Sequence, residues 1–491
     1  MKLSAFSKLT LTATLLTLQV LFATPVVANT QDSKADLLVA RVLQAYGGDQ
    51  LGALTSLQVE DSYKVFSLDQ GANPAVNEVT NLTSRLNVDF KSNKKNVKNW
   101  RQGPNGNSLS QILFDGSTGW SINHLRGTHV ENPSLTADRV GSGMLKMIDT
   151  VLALWLYQNR ASASWHAEKL VAGKSVSTLA FETKNKEQYF LDIEVSTGLI
   201  LRMSRSLDSS SGPVYEFSQH TKVQDLTFAT DMNMLIDGKP RFVTTQRDIE
   251  INSLEPDAFS IPDKSVKLKG MLNPETMQVH KLAESVYLAG QGRNFSIFVD
   301  TGDFWIGAGG LAGITQRLTA VNQHLNVEKP LNLQVLPDHH RGHLSAIPEL
   351  VELGSQLVFA AQHESIIDKL AEVTDSNQKL VVTSEKLSLL KGLVEVYDIT
   401  TAHAENYLLV YIPHAKLVFS ADHFGTNLID ALPGGNNTIK TFHSEITRLN
   451  LDVAQFAHAH GPRLLTATDL EQVVTHYKPK TCPLDEALCR S

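Results

Sequence analysis

The sequence predicts an α+β protein of two domains, an antiparallel β-rich domain followed by one in which strands alternate with helices. The chain has 491 residues, more than one ordinary hydrophobic core encloses. Residues 56–262 form a succession of short alternating runs separated by Asp-Gly and Thr-Gly turns. Histidines divide at a similar place, because 4 of the 17 precede residue 270 and the other 13 follow it. We therefore place the boundary near residue 270.

The composition narrows the class of protein. Of all residues, 42% are hydrophobic, 19% are charged and 7% are aromatic, as is usual for a globular chain. The formal net charge is −7. A nucleic-acid binder needs a surplus of Lys and Arg, and the sequence has no basic run interleaved with aromatic residues. We therefore expect no nucleic-acid partner.

Residues 1–28 have the three parts of a secretory signal peptide. Lys2 and Lys8 give a positive start, residues 9–23 are mostly apolar, and small residues precede a cleavage point after Ala28. The apolar run is shorter than the ~20 residues that cross a bilayer. We expect cleavage after Ala28 and a periplasmic or secreted mature protein, with a retained membrane anchor as the alternative.

Residues 29–265 are predicted to form the β-rich domain. It begins with an amphipathic helix over 35–46, which Gly47 and Gly48 end by leaving helical geometry. Beyond residue 56 the strands alternate imperfectly, as in 57–66 and 243–251. This pattern predicts one long antiparallel sheet, curved or folded into a half-barrel.

Three segments of this domain resemble bacterial outer-membrane lipoprotein-carrier and sorting proteins. Residues 114–120 (FDGSTGW) and 191–199 (LDIEVSTGL) look like two hairpins of that family, and 251–262 look like its final strand and exit. The resemblance implies a curved sheet around a hydrophobic cavity for acyl chains. It therefore also implies a lipid ligand and an association with the membrane or the envelope. The alternative is a sheet that packs against the second domain or shapes its substrate cleft.

The second domain, residues 276–470, follows a predicted linker at 266–275 and precedes a tail at 471–491. Cys482 and Cys489 are the two cysteines of the chain, and their short spacing in an exported protein predicts a small disulfide loop. Around a histidine-rich loop at 338–343, the domain is predicted to alternate strands and helices. The predicted strands cover 285–290, 295–300, 304–306, 332–336 and 356–360, and the predicted helices cover 312–325 and 347–353.

This order of elements resembles the metallo-β-lactamase superfamily, whose HxHxDH motif directly follows a buried strand. On that motif, Asp338 takes the place of the first His, His340 and His343 match the second and the last, and Gly342 stands at the Asp. The resemblance implies an αββα sandwich. Three later segments resemble the same family, with His403 in TAHAEN, Asp422 in LVFSAD and His460 in FAHAHGP.

The resemblance implies a metal site of six residues. One metal would be held by Asp338, His340 and His403, and a second by His343 and His460 with Asp422 between the two, so that Asp338 and Asp422 also serve catalysis. Zinc takes imidazole nitrogen and carboxylate oxygen and keeps one position for water. Two metals ~4 Å apart can activate a shared water. We expect one or two zinc ions, with iron or manganese as alternatives because two His and one carboxylate suit them as well.

Two departures from the family pattern weaken the expected site. Gly342 replaces an Asp that ligates the second metal, and glycine offers no ligand. Gly307 stands where the family usually has an Asp that supports the ligands from behind. If the segment Val299-Asp300-Thr301-Gly302 is the true equivalent, the second departure disappears.

The remaining histidines are expected to have other roles. His339 should lie behind the ligands, and His458, two residues before His460, is a substitute ligand if the segment is extended. Surface or packing positions are expected for His414, His423, His443 and His476.

The sequence leaves two functions open. The first is an exported metal-dependent hydrolase that uses metal-activated water on an ester, thioester, amide or phosphate bond of a small molecule. The alternative is a catalytically decayed relative that binds a lipid or an envelope partner through its N-terminal sheet. The oligomeric state stays open.

Overall fold

The computed structural model describes residues 30–207, 212–371, 378–484 and 486–489. The signal peptide expected at 1–28 lies outside these residues and stays a prediction. None of the helices within the described ranges combines the length and the apolar character needed to cross a membrane.

The first half of the chain forms one large sheet, called here the N-terminal sheet. Neighbouring strands are antiparallel, except that the last strand pairs in parallel with the sixth. The spatial order is β14-β6-β5-β4-β3-β2-β1-β13-β12-β11-β10-β9-β8-β7. The strands are β1 (Ser56–Phe66), β2 (Val79–Asp89), β3 (Lys94–Gly103), β4 (Gly106–Phe114), β5 (Gly119–Asn123), β6 (Thr128–Glu131), β7 (Ser164–Val171), β8 (Lys174–Glu182), β9 (Gln188–Glu194), β10 (Ile200–Ser204), β11 (Pro213–Val223), β12 (Leu226–Ile236), β13 (Lys239–Ile251) and β14 (Val266–Lys267). The curvature expected of this sheet stays a prediction.

Among the residues that the structure describes, this sheet is accompanied by the helices α1 (Thr30–Ala45), α2 (Ser142–Leu145) and α3 (Asp149–Asn159). The helix predicted at 35–46 corresponds to α1. The expectation of strands alone between 56 and 262 is wrong at α2 and α3. Helix α3 is apolar on nearly all sides, with Leu152 and Leu156 fully buried, and a helix of this kind forms only when neighbours cover it completely. A continuous apolar run cannot be assigned to strand or helix from periodicity alone.

Within its described residues, the second half forms two further sheets and six helices, called here the C-terminal sandwich. One sheet has the order β15-β16-β17-β18-β19-β20-β21 and the other β22-β23-β24-β25-β26-β27. The strands are β15 (Gln278–Ala283), β16 (Val286–Gln291), β17 (Asn294–Asp300), β18 (Trp305–Ala308), β19 (Leu331–Val335), β20 (Gln356–Ala360), β21 (Lys379–Val382), β22 (Lys386–Leu389), β23 (Val394–Ile399), β24 (Tyr407–Ile412), β25 (Leu417–Phe419), β26 (Gln455–His458) and β27 (Gly461–Thr466). The helices are α4 (Ile314–Leu325), α5 (Arg341–Leu344), α6 (Ile347–Glu352), α7 (Glu364–Ala371), α8 (Asn437–Arg448) and α9 (Ala467–Thr475).

The two sheets pack face to face between two helical layers. On β17, Ile297 belongs to the core between the sheets, whereas the next residue, Phe298, belongs to the core under α4, α6 and α7. This alternation follows from the two faces of a strand. Helices α8 and α9 cover the other sheet through Phe442 and Leu470. The arrangement is a four-layer αββα sandwich, and the strand order brings the ends of β19, β23, β25 and β26 to one edge.

The segments predicted as linker and tail are bound to the rest of the protein. Val266 and Lys267 belong to β14 of the N-terminal sheet, and Met271 forms a β-bridge with Leu428 of the sandwich. The predicted linker at 266–275 therefore contacts both halves of the chain.

The tail, expected from residue 471, begins inside α9 and then returns to the N-terminal sheet. Leu488 packs on Trp100 and Leu109, and Glu486 forms an ion pair with Lys98. Cys482 and Cys489 are joined by a disulfide bond, which closes this last loop.

Candidate metal centre

The loop after β19 presents Asp338 and His340. Asp338 is fully buried, and its Oδ1 accepts a hydrogen bond of 3.0 Å from the backbone N–H of His340. This bond turns the other carboxylate oxygen, Oδ2, towards His340 Nδ1 at 3.7 Å and His403 Nε2 at 3.4 Å. One oxygen thus fixes the carboxylate while the other is directed at two imidazoles.

The ring of His340 is oriented by a residue from the N-terminal sheet. Its Nε2 lies 3.1 Å from the carbonyl oxygen of Gly71, in the loop between β1 and β2. A carbonyl can only accept, so Nε2 carries the hydrogen, and the lone pair of the neutral ring is on Nδ1, which faces Asp338. The sandwich also holds this loop at Glu405, whose backbone N–H donates to Ala72 and whose carboxylate accepts from Asn73 at 2.7 Å.

His403 is held by a tight turn between β23 and β24. The hydroxyl oxygen of Thr401 accepts a hydrogen bond of 3.2 Å from the His403 backbone N–H and lies 2.8 Å from Nε2 of His423. The buried ring of His423 lies beside that of His403, with the ring centres 5.0 Å apart. The turn therefore fixes both the backbone of His403 and the ring of His423 that packs beside it.

Asp422 follows β25 immediately after a strained residue. Ala421 has a φ of 41°, in the left-handed region that costs a residue with a side chain about 1–2 kcal/mol. The Asp422 Oδ2 lies 3.1 Å from His343 Nε2 and 3.6 Å from His403 Nε2, while Oδ1 lies 2.6 Å from His460 Nε2. The carboxylate of Asp422 thus contacts imidazoles from both halves of the site.

His460 comes from the turn between β26 and β27. Its Nδ1 lies 2.9 Å from the carbonyl oxygen of Arg293 and donates a hydrogen bond to it, so Nε2 is the ring nitrogen that faces Asp422. His343, in α5, completes this side. Neither of its ring nitrogens has a hydrogen bond of suitable geometry among the described residues.

The six residues predicted from the sequence come together as two groups of three, Asp338–His340–His403 and His343–Asp422–His460. In each group the candidate ligand atoms lie within 4.8 Å of one another. With zinc–ligand bonds of ~2.0–2.1 Å, the ligand atoms of a tetrahedral ion are ~3.3 Å apart. Three separations within the groups, 3.1, 3.4 and 3.7 Å, are close to that value. Oδ2 of Asp338 and Nε2 of His403 make no hydrogen bond among the described residues, although both are buried. The donor set therefore fits a divalent metal.

Burial and charge differ between the two groups. Asp338 is fully buried, whereas the side chain of His460 is 32% exposed, so the second group forms the solvent-facing side. Burial by itself raises the pKa of Asp338, but His343, His340 and His403 lower that pKa well below its ordinary value. Burial lowers the pKa of His343, but Asp422 and Asp338 outweigh it and raise the pKa to about 9. A metal at the second group therefore has to displace a proton from His343.

The structure clarifies the two glycines that depart from the family pattern. A Cβ at Gly307 would lie 2.2 Å from Oε1 of Gln334, so the buried Gln334 amide occupies the space of a side chain there. Asp300 does not replace it, because its carboxylate pairs with Lys329 at the opposite end of β17 and β19. At Gly342, by contrast, a Cβ would meet only Leu311 at 3.9 Å.

The open space at Gly342 makes a restored carboxylate testable. We expect Gly342→Asp to tighten the Kd of the second metal about tenfold or more, because the group gains negative charge beside a dication. The measurement is a chelator competition titration of the full chain. Gly342→Asn, which has nearly the same shape without the charge, is the matched control and should change little. Equal affinities in the two variants would show that the loop is aligned wrongly with the motif.

Four further histidines, His339, His363, His423 and His458, lie close to the site without joining either group. His339 is buried against the rings of His340 and His363, as expected of a residue behind the ligands. His458, the expected substitute ligand, belongs to neither group of three, and its Nδ1 accepts a hydrogen bond of 3.2 Å from the His460 backbone. His423 packs directly under the site.

Comparisons with known proteins add little beyond this geometry. No protein-family model matches the chain, and no curated protein sequence matches it. Among solved structures, TMB-1 is similar with 16% identity and a TM-score of 0.34 over 41% of this chain and 96% of its own. A metallo-β-lactamase from Hirschia baltica has 14% identity and a TM-score of 0.32, and the match covers 41% of this chain and 97% of that one. FIM-1 from Pseudomonas aeruginosa in its mono-zinc form has 17% identity and a TM-score of 0.32, and the match covers 41% of this chain and 95% of that one. Likenesses this low carry no inference about the reaction.

Proposed function

We propose that this protein is a metal-dependent hydrolase with zinc as its metal, acting on an ester, thioester, amide or phosphate bond of a small molecule. The observation that carries the proposal is the position of Asp422, whose two carboxylate oxygens contact His343, His403 and His460. Placed between the two sets of ligands, the Asp422 carboxylate would contribute to holding a cation in each of them. Such a pair, when bound, supplies a water nucleophile at neutral pH and polarises the bond to be cleaved.

The proposed roles of the side chains follow from how deeply each is buried. Asp338, His340 and His403 form the deep group, where the low dielectric strengthens every charge interaction. Asp422 and His460 lie on the exposed side, where a substrate can reach the site. The export predicted from residues 1–28 belongs to the same proposal, and a disulfide between Cys482 and Cys489 suits an oxidising compartment.

The test is turnover on a panel of chromogenic esters, thioesters, amides and phosphodiesters by residues 29–491. We expect His403→Ala and His460→Ala each to abolish turnover and to lower the bound metal. His324→Ala, which removes an exposed histidine from α4, is the matched control and should leave both unchanged. Full turnover in both site variants would exclude the proposal.

A second function, binding of a lipid or envelope partner by a decayed scaffold, rests on Gly342, which contributes no ligand. Against a lipid site, α1 and α3 already fill one face of the N-terminal sheet with buried side chains such as Val42 and Leu152. Mass spectrometry of an organic extract of the purified full chain decides the point. Co-purifying acyl chains together with absent metal would favour this second function.

A further inference from the structure

A cleft of about 710 Å³ lies where the N-terminal sheet meets the C-terminal sandwich. Its walls come from the β1–β2 loop (67–78), the β3–β4 turn and the segments flanking α8 and α9. Small-molecule sites typically measure about 300–1,000 Å³, so the cleft is large enough for a metabolite-sized ligand.

The lining of this cleft is strongly basic, although the whole chain has a net charge of −7. Among the described residues that line it, Glu78 is the one carboxylate, and it already accepts a hydrogen bond of 2.9 Å from the Ala72 backbone. The five lining cations are Arg101, Arg126, Arg241, Lys478 and Lys480.

Two of the five cations, Arg126 and Arg241, are held in place without being neutralised. Arg126 donates to the carbonyl oxygen of Leu432 at 2.8 Å, and Arg241 donates to the carbonyl oxygen of Phe66. These acceptors carry no formal charge, so both guanidinium groups keep their full positive charge while losing freedom. Arg101 has no ion pair within the part of the chain that the structure describes.

Two of the lining cations, Arg101 and Arg241, also repel each other. Burial lowers the pKa of Arg241, and the nearby charges of Arg101 and Arg341 lower it further. Arg341 is compensated by Asp69 at 3.7 Å and Asp237 at 3.4 Å, whereas Arg101 and Arg241 are not paired with a carboxylate among the described residues. Bringing like charges together in a partly buried cleft is unfavourable unless an anion joins them.

We propose that this cleft binds an oxyanion group, such as a phosphate, through Arg101 and Arg241. The planar guanidinium group matches the geometry of phosphate and carboxylate and donates to both of their oxygens. The site is defined by the arginines alone and does not depend on the metal centre. The two are neighbours, because Gln70 lines the cleft and the next residue, Gly71, orients His340.

The test is calorimetric titration of inorganic pyrophosphate into residues 29–491 after the metal has been removed by chelation and the chelator by dialysis. We expect binding that weakens with added salt and at least about tenfold in Arg101→Gln/Arg241→Gln, because hydrogen bonds between charged groups are strong ones. Arg139→Gln/Lys222→Gln removes two exposed charges that do not line the cleft, and should leave the Kd within about twofold. If the double variant does not fold, Arg101→Gln alone is used, because Arg101 is exposed and its substitution should not affect folding. We expect this single variant to weaken binding several-fold.

A second arm identifies the source of the oxyanion. Vesicles of phosphatidylcholine with and without phosphatidylglycerol are tested for binding to the same variants. Arginine-dependent pyrophosphate binding supports a soluble ligand, and arginine-dependent binding to phosphatidylglycerol alone supports a lipid headgroup. The proposal is overturned if the double arginine variant binds pyrophosphate or the vesicles as tightly as the unsubstituted chain, or if neither arm shows binding. Because the titration uses metal-free protein, this failure is distinct from a failure of the hydrolase proposal.

Discussion

Asp422→Asn should reduce turnover by about 100-fold or more and remove about one of two bound metal ions. The substitution keeps the size of the side chain but removes the charge that joins the two groups of ligands. A second metal supplies several kcal/mol of transition-state stabilisation, and each ~1.4 kcal/mol is a tenfold change in rate. The measurements are metal per chain by elemental analysis and kcat on whichever substrate of the panel the unsubstituted protein hydrolyses.

The matched control for this variant is Asp452→Asn. Asp452 is largely exposed and pairs with Lys416 on the surface, so its amide should leave metal content and turnover unchanged. If Asp422→Asn retained both metals and full turnover, Asp422 would not be a bridging ligand, and the two groups would have to act independently.

Gly71→Val should weaken metal binding at the deep group about 10- to 100-fold, which is the usual cost of losing an outer hydrogen-bond partner of a ligand. A Cβ at Gly71 would lie 3.0 Å from Oγ of Ser67 and 3.1 Å from the Glu78 side chain. A branched side chain therefore pushes the loop away, and the Gly71 carbonyl no longer fixes the ring of His340. The measurement is chelator competition combined with the absorption spectrum of the cobalt-substituted protein.

Ala75→Val adds a branched side chain at an exposed position of the same loop and should bind metal normally. The unfolding temperature of each metal-free variant shows that the fold is retained. An unchanged Kd in Gly71→Val would mean that the N-terminal sheet does not position the metal ligands.

The strands that precede the ligands could be predicted from their apolar runs, whereas the ligands themselves were assigned from the resemblance of their segments to the family. His403, Asp422 and His460 all stand next to short strands whose hydrophobicity marks them. The predicted helices at 312–325 and 347–353 correspond to α4 and α6 within two residues. Local periodicity therefore sufficed for these elements but not for the choice of ligands, which came from the resemblance to the family.

The rest of the site depends on contacts that local patterns do not encode. Gly71 lies 269 residues before His340, and a backbone carbonyl leaves no signature in the residue type. The same is true of Arg293, whose carbonyl orients His460. The sequence gives no specific signal for the roles of Thr401 and His423, because a threonine in a turn and a buried histidine occur in many proteins. Their nearness in sequence to His403 and Asp422 is the one hint that they contact the ligands. Helix α3 was missed because its apolar run is equally compatible with a buried strand.

The most direct test of the central claim is the metal content of residues 29–491, purified without a histidine tag and offered zinc, iron and manganese. Elemental analysis should find about two zinc ions per chain, because the deep and the exposed group each provide three convergent ligand atoms. In the double variant His340→Ala/His460→Ala, which removes one ligand from each group, the bound zinc should fall towards background. Metal that is absent from the unsubstituted chain, or that stays fully bound in the double variant, would contradict the account.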